Sequence, residues 1–350
     1  MNNTLHKAEV VDFLKLAWKI LLPVAIGVSV VLWMFHREFN PDVWHSIRWN
    51  GHVIGCIALA WLFMIGRDFG LSWRFRTLTD RQLSWPKAIK VNMLCEFTSC
   101  VTPSVVGGSA FGMLYLHREG IGLGRATTLM MTTLFLDEFF FVISLPIMML
   151  IVPYSDLFGF DNHAFSAGIQ AVFWSIYGVL AAWTLILFLG IFVKPRSIHM
   201  FLNKLFRFRW LRRWADNADK LGADMELTSA DLRHRPAVWW IKTFGATVIS
   251  WSSRYLVVNA LFLAFAPAAD QLIVFARQFV VWVVLIVSPT PGGSGLSEWL
   301  FTTYYGDLIQ GSGMVVVMAL FWRIISYYVY LIIGACIVPG WIRQGFRRRH

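Results

Sequence analysis

The stretch Val287–Glu298 reads VSPTPGGSGLSE and directly follows the apolar run Val280–Val287. A weaker copy, VTPSVVGGSAF, occupies Val101–Phe111 and continues into the apolar residues Phe111–Leu116. Each copy gives Val, a hydroxyl residue, Pro, a hydroxyl residue and, one or two residues later, Gly-Gly-Ser. Proline lacks a backbone N–H and fixes φ, and paired glycines take conformations that other residues avoid. A helix that reaches either tract has to break there. Inside a membrane, broken backbone is tolerated only where protein buries it or where it lines a polar cavity. Two such interruptions, one in each half of a chain, point to a transporter-type site.

Composition agrees with a membrane setting. Of 350 residues, 57% are hydrophobic and only 15% charged, and the 18 Trp suit interfacial aromatic belts. The net charge of +11 lies between hydrophobic spans, so it reads as a topology signal and as contacts to anionic lipid, with no nucleic acid implied. Cys56, Cys95, Cys100 and Cys336 stand in apolar surroundings with no CxxC, which points to packing and away from disulfides or metal. The first apolar run is long enough to span and has no small-residue cleavage pattern, so it is not read as a signal peptide.

Charge bias sets the expected topology. Spans are expected at Leu16–Phe35 and Ile47–Gly66. A loop carrying Arg67, Arg74, Arg76, Arg81, Lys87 and Lys90 follows, cytoplasmic by the positive-inside bias. Val91–Leu116, with the first tract, ends at His117, Arg118, Glu119 and Arg125. Spans at Ala126–Val152 and Ala164–Val193 enclose Pro153–His163, which has no Lys or Arg, and ten Lys or Arg residues then lie between Lys194 and Arg235. Both basic segments are inside only if Val91–Leu116 enters and leaves by one face. It is then a re-entrant hairpin folded at its tract.

The second half repeats this upside down. Val238–Ala266 leads to Pro267–Leu272, and Ile273–Tyr305 leads to Gly306–Gly313, neither loop holding Lys or Arg. Met314–Trp341 returns to Arg343, Arg347, Arg348 and Arg349. Parity closes only if Ile273–Tyr305 is re-entrant from outside. The expectation is an all-α integral membrane protein, with about six transmembrane helices plus two re-entrant helical hairpins in an inverted repeat. Residues 47–193 form the first half with hairpin 91–117, 194–236 a basic cytoplasmic segment, and 237–342 the second half with hairpin 273–305. Both termini are expected in the cytoplasm, at the inner (plasma) membrane. Between Arg196 and Asp224, Ile198, Phe201, Leu202, Leu205 and Phe206 keep helical spacing among basic residues, as an interfacial helix or a plain connector.

Charges within spans are costly and usually face a cavity or a partner. Here they are Glu96, Asp137, Glu138, Arg254, Arg277, Glu298 and Arg323. Asp137 stands 34 residues after Pro103 and Arg323 stands 34 after Pro289, so acid and base occupy matching places. Asp137 and Glu138 are about 100° apart on a helix and point different ways. Buried ion pairing alone accounts for such charges, as helix capping accounts for the hydroxyls of the tracts. As a site, the helix N-termini after the tracts favour an anion such as phosphate. His117, which closes the first hairpin, is the histidine that stands out. There is no P-loop, no HExxH and no sign of a cofactor or metal.

Three segments carry a family resemblance: SPTPGGSGLSE; TPSVVGGSAF with the following GLGRA at Gly122–Ala126; and WRIISYY at Trp322–Tyr328. Together they resemble the lysylphosphatidylglycerol synthase transmembrane-region family, also called flippase-like domain proteins, from about residue 50 to 342. The family usually shows Gly-Val-Arg-Glu after its glycines; here Gly295-Leu296-Ser297-Glu298 keeps the Glu and loses the Arg. Likewise Leu134-Phe135-Leu136 precede Asp137 where the family commonly has an Arg. In fused members, a soluble aminoacyl-transferase domain makes a lipid that the membrane domain moves between leaflets. No such domain precedes His350, so the resemblance implies translocation without synthesis.

The expected function is movement of a polar, phospho- or polyprenyl-linked lipid headgroup between leaflets, with no enzyme activity. The binding set from the first half is Glu96, Thr102, Ser104, Gly107, Gly108 and Asp137. The second half adds Arg254, Arg277, Thr290, Gly292, Gly293 and Ser294, then Glu298, Arg323 and Tyr327. Two alternatives stand: a membrane enzyme using Glu298 or Glu96 as general base, and a non-transporting scaffold for a lipid enzyme. Expected partners are anionic or zwitterionic membrane lipids, with a homo-oligomer or a separate lipid-synthesising enzyme left open.

Overall fold

A computed structural model describes residues 47, 49–102, 107–158, 163–197, 200, 204, 215–309 and 312–347. The expected span Leu16–Phe35 and most of the basic segment 198–214 lie outside them. The described residues form an all-α membrane protein with five helices long and apolar enough to cross a bilayer.

α1 (Gly51–Leu78) begins where the Asn50 side chain accepts the Val53 N–H at 2.9 Å. α2 (Trp85–Val101) starts on a proline near its N-terminus, and after the first tract α3 (Gly107–Arg118) resumes. α4 (Leu123–Ile151) follows, then the single turn α5 (Tyr154–Phe158) and α6 (His163–Phe188), which ends in a π-helical turn at Leu189–Val193. α7 (Ala215–Arg233) joins the halves. The second half holds α8 (Ala237–Phe265), α9 (Gln271–Leu285), α10 (Leu296–Tyr305) and α11 (Ser312–Arg323). A π-helical turn at Ile324–Tyr328 carries α11 into α12 (Val329–Arg347). In each half a long helix precedes a broken pair, and another long helix follows it.

One correction concerns the first basic loop. α1 runs to Leu78, twelve residues past the expected end, so Arg67, Arg74 and Arg76 are helical. Arg67 and Arg74 are buried, at 5% and 2% exposure. They stay inside because carboxylates neutralise them there (below). The loop proper is short, Thr79–Ser84, with left-handed φ at Asp80 and Arg81. The interfacial segment also differs in part: from Ala215 it is the helix α7, packed on α4 where Gly124 leaves no room for a Cβ beside Asp224.

Both broken pairs are helical hairpins. Lys87 near the start of α2 meets Glu119 just past α3 at 3.1 Å. In the second half, Arg277 in the middle of α9 reaches Asp307 just past α10 through two bonds of 2.6 and 2.8 Å. The hairpins open at opposite ends of the molecule. Asp80 binds Arg125 and Arg235, each at 2.7 Å, at the end where the first hairpin opens. Arg277 also donates to the Asp156 carbonyl, which places the second hairpin's mouth beyond the far end of α4. Among the described residues, the loops expected on one face by charge bias thus gather at one end, and those expected on the other gather opposite.

α1 and α8 pack antiparallel along their length. His52 contacts the Leu263 carbonyl, Gly66 faces Ser253, Gly70 faces Ser250, and Arg74 donates to Thr247. A Cβ on Gly70 would lie 2.8 Å from the Ala246 carbonyl, so the close approach needs glycine there. The large apolar core sits where α8 and α9 meet α10, α11 and α12, with Phe279, Tyr255, Phe301 and Tyr305 fully buried.

Candidate functional site

Between the hairpins lies a cavity of about 240 Å³. Its wall takes residues from α1, α2, α4, α8, α9, the second tract and the α11–α12 junction. Apart from Glu96 on α2, its charged side chains enter from long apolar helices, so each needs a partner or a reason to stand alone.

Three arginines are paired. Arg67 binds Glu96 at 2.6 Å and Asp68 at 3.2 Å. Asp68 also accepts from Tyr330 and Asn92, so this carboxylate is surrounded by donors. Arg74 grips Asp137 through both terminal nitrogens, at 2.5 and 3.0 Å, and the Trp251 indole N–H adds a third bond at 2.7 Å. Arg323 lies 2.7 Å from Glu298, both nearly fully buried.

The second tract is built by turns and then held by that last pair. Thr290 and Pro291 carbonyls accept the Gly293 and Ser294 N–H groups. Gly292, Gly293 and Gly295 all have positive φ, the left-handed region that glycine takes without strain. Gly292 lies directly beneath the Tyr327 ring, with no space for a Cβ. Arg323 donates to the Gly292 carbonyl and to Ser294 Oγ, each at 3.1 Å, and its guanidinium lies 3.9 Å from the Tyr327 centroid. Glu298 accepts the Gly295 N–H at 2.7 Å and the Ser297 hydroxyl at 3.0 Å. The N-terminus of α10 is therefore capped by the chain's own carboxylate. Carboxylates at this helix position are favoured by the free N–H groups and the dipole.

Two charged groups stand apart. Arg254 lines the cavity and makes no ion pair or hydrogen bond among the described residues. Its guanidinium rests against two indoles, 5.0 Å from the Trp282 centroid and 5.8 Å from that of Trp251. Glu138 also lines the cavity, and among the described residues its one hydrogen bond is from the Thr184 hydroxyl at 3.4 Å.

Of the residues expected from sequence, Glu96, Gly108, Asp137, Arg254 and Thr290 line the cavity. Gly292, Gly293, Arg323 and Tyr327 do so as well. Four stand just behind or beside it. Thr102 turns its hydroxyl back to the Thr98 carbonyl, Ser294 and Glu298 serve Arg323, and Gly107 opens α3. Ser104 lies outside the described residues. Arg277 is not brought to the cavity: it closes the mouth of the second hairpin against Asp307 and the Tyr304 and Asp156 carbonyls. His117 binds the Ile121 carbonyl and closes the turn after α3.

Sequence reasoning missed Arg67, Arg74, Trp251, Trp282 and Asn92 as cavity residues. One signal was available: Arg67 and Arg74 are seven apart, two turns of one helix face, as buried partners for carboxylates must be. The two tryptophans carry no such signal.

The family described as lysylphosphatidylglycerol synthase TM region matches residues 20–334. A similar curated protein is named UPF0104 membrane protein, from Archaeoglobus fulgidus. It is 22% identical over 329 residues, covering 90% of this chain and 94% of that protein. Multi-pass apolar helices and a match over most of the chain agree: this chain belongs to the lysylphosphatidylglycerol synthase transmembrane-region family.

Proposed function

We propose that the protein moves a phosphate-bearing lipid headgroup, phospho- or polyprenyl-linked, between membrane leaflets. The observation that carries this reading is Arg254. A guanidinium in a membrane cavity with no carboxylate partner among the described residues is expensive to keep. Planar guanidinium donors match phosphate oxygens, and two indole faces hold the cation in place until an anion arrives. The lipid named in the family's description also bears a phosphate.

The surroundings suit that task. Two hairpins reach the cavity from opposite ends, and α1 and α8, in matching places of the two halves, run antiparallel. Inverted repeats with a midplane site fit alternating access. On this reading both hairpins are re-entrant, the membrane is the inner (plasma) membrane, and the basic ends and both termini are cytoplasmic. The protein acts without covalent chemistry: Glu96 and Glu298, the bases a lipid enzyme would use, are each bound to an arginine.

The test uses the full chain in vesicles holding trace NBD-phosphatidylglycerol in both leaflets, with dithionite added outside. Dithionite should bleach the outer leaflet alone in empty vesicles and nearly all the label where the protein moves lipid. Arg254→Gln should leave the melting temperature unchanged and slow bleaching of the inner label by about tenfold or more, the worth of ~1.4 kcal/mol of headgroup contact. Equal bleaching with and without protein would remove the reading.

A further inference from the structure

Glu138 plays no part in the paired network. Among the described residues, the other carboxylates in the cavity wall or paired with its arginines are matched: Asp68 and Glu96 by Arg67, Asp137 by Arg74, Glu298 by Arg323. Glu138 has no cation within ion-pair distance among the described residues, only the Thr184 hydroxyl. It lies near the middle of α4, the span Leu123–Ile151.

The elements packed on α4 offer it no relief. α6 contains no Lys, Arg, Asp or Glu between His163 and Val193. Arg74 of α1 and Trp251 of α8 both serve the neighbouring Asp137. α9 faces α4 with Phe279 and Trp282, and its Arg277 is committed to Asp307. α3 meets α4 through Met113 and Gly112, and its His117 and Arg118 are bound at its far end. α7 reaches α4 at Gly124, near the start of the helix. Arg254 lines the same cavity and is its one cation without a carboxylate among the described residues.

Counting charges makes the consequence plain. Four guanidiniums, Arg67, Arg74, Arg254 and Arg323, stand against four matched carboxylates, Asp68, Glu96, Asp137 and Glu298. Glu138 is the fifth acid of this set of paired and lining groups and the one without a cation, so its proton is the one that the charge balance controls. An anionic phosphodiester arriving at Arg254 adds one more negative charge. Coulomb repulsion then favours the proton's presence still further, and by linkage the proton favours the anion.

We infer that Glu138 is a proton-coupling site: its carboxyl takes up one proton as an anionic headgroup binds and gives it up on the far side as the headgroup leaves, so that a proton gradient drives lipid movement. This rests on the lipid-moving reading for its cargo and on the placement of Glu138 for its proton. Intramembrane carboxylates in relays of this kind are a recurrent feature of transporters.

The full chain in vesicles with trace NBD-phosphatidylglycerol tests it. With one proton per headgroup, a pH difference of one unit should bias the probe between leaflets by up to about tenfold. Glu138→Gln, neutral like the protonated acid, should still move the probe and show no pH bias. A bias that survives Glu138→Gln, or one produced by a sodium gradient and not by a proton gradient, overturns the inference. Infrared spectra give a readout that needs no transport. The C=O stretch of a protonated carboxyl should be present in the wild type at neutral pH in vesicles containing phosphatidylglycerol and absent from Glu138→Gln. Glu138→Asp should keep it at a shifted frequency, which identifies the residue even where the Gln variant does not fold. A wild type that moves no probe but shows this band refutes the lipid reading alone; a wild type without the band refutes the proton site.

Discussion

Gly292 and Gly293 are neighbours with similar backbone, φ +56° and +70°, yet a side chain would meet different surroundings. At Gly293 the nearest atom to a new Cβ is 3.6 Å away, an ordinary contact. At Gly292 the Cβ would fall inside the Tyr327 ring, which is held by its hydroxyl on the Cys100 carbonyl at 3.2 Å and by Arg323 over its face. A left-handed non-glycine residue costs about 1–2 kcal/mol, and overpacking adds about 1–3 kcal/mol. Thermal unfolding of the purified chain should therefore show a modest loss for Gly293→Ala and a loss about twice as large for Gly292→Ala. Tyr327→Ala should restore most of the difference. Equal losses at the two glycines would mean that the ring gives way freely. The same contacts show where the sequence was less clear. That Glu298 and Arg323 belong together was legible from their places around the tract. That Arg323 directs its donors to the tract itself was not, because this depends on the turn that Gly292 and Ser294 make.

At the scale of helices, the apolar spans after residue 120 were legible to within a few residues, since apolar runs of that length have few other uses. α1 was not, because Arg67, Asp68 and Arg74 look like the end of a span when read one residue at a time. The helix continues because Glu96 and Asp137, distant in sequence, neutralise the two arginines, and Arg67 in turn pairs with Asp68. The π-helical turn at Ile324–Tyr328 was equally invisible. Such turns re-aim side chains by a fraction of a turn, and here one lies between Arg323 and the Tyr330 that binds Asp68. The packing of α1 on α8 can be tested directly. A Cβ on Gly66 would lie 3.7 Å from Ser253 Cβ, within the range that a disulfide bridges. With the four native cysteines replaced, Gly66→Cys with Ser253→Cys should cross-link on mild oxidation. A chain cut by protease in the 198–214 segment should then run as one species without reductant and as two with it. Two species under both conditions would separate α1 from α8 at this point.

Across the whole molecule, the positive-inside bias and the geometry meet on one question, the sidedness of the hairpins. The bias works over loops, and it gave a consistent parity even though three of the arginines it used belong to α1. Of the remaining basic residues, Arg81, Lys87, Arg118, Arg125 and Arg235 gather at one end, with Asp80 and Glu119 between them. Two probe sites decide the matter. Gly122 follows the first hairpin and Gly306 the second; both are exposed and have open space where a Cβ would go. In the cysteine-free chain, Gly122→Cys should label only from inside, together with Gln82→Cys, which precedes the hairpin. Gly306→Cys should label only from outside, together with Ser155→Cys and Ala268→Cys. A hairpin that instead crossed the membrane would put its two flanking probes on opposite sides. Gly122 labelled from outside would turn α2 and α3 into a crossing and reverse every helix from α4 onward. Gly306 labelled from inside would do the same to α11 and α12. Either result would break the inverted relation of the halves, and with it the reason for expecting the cavity to open alternately to the two leaflets.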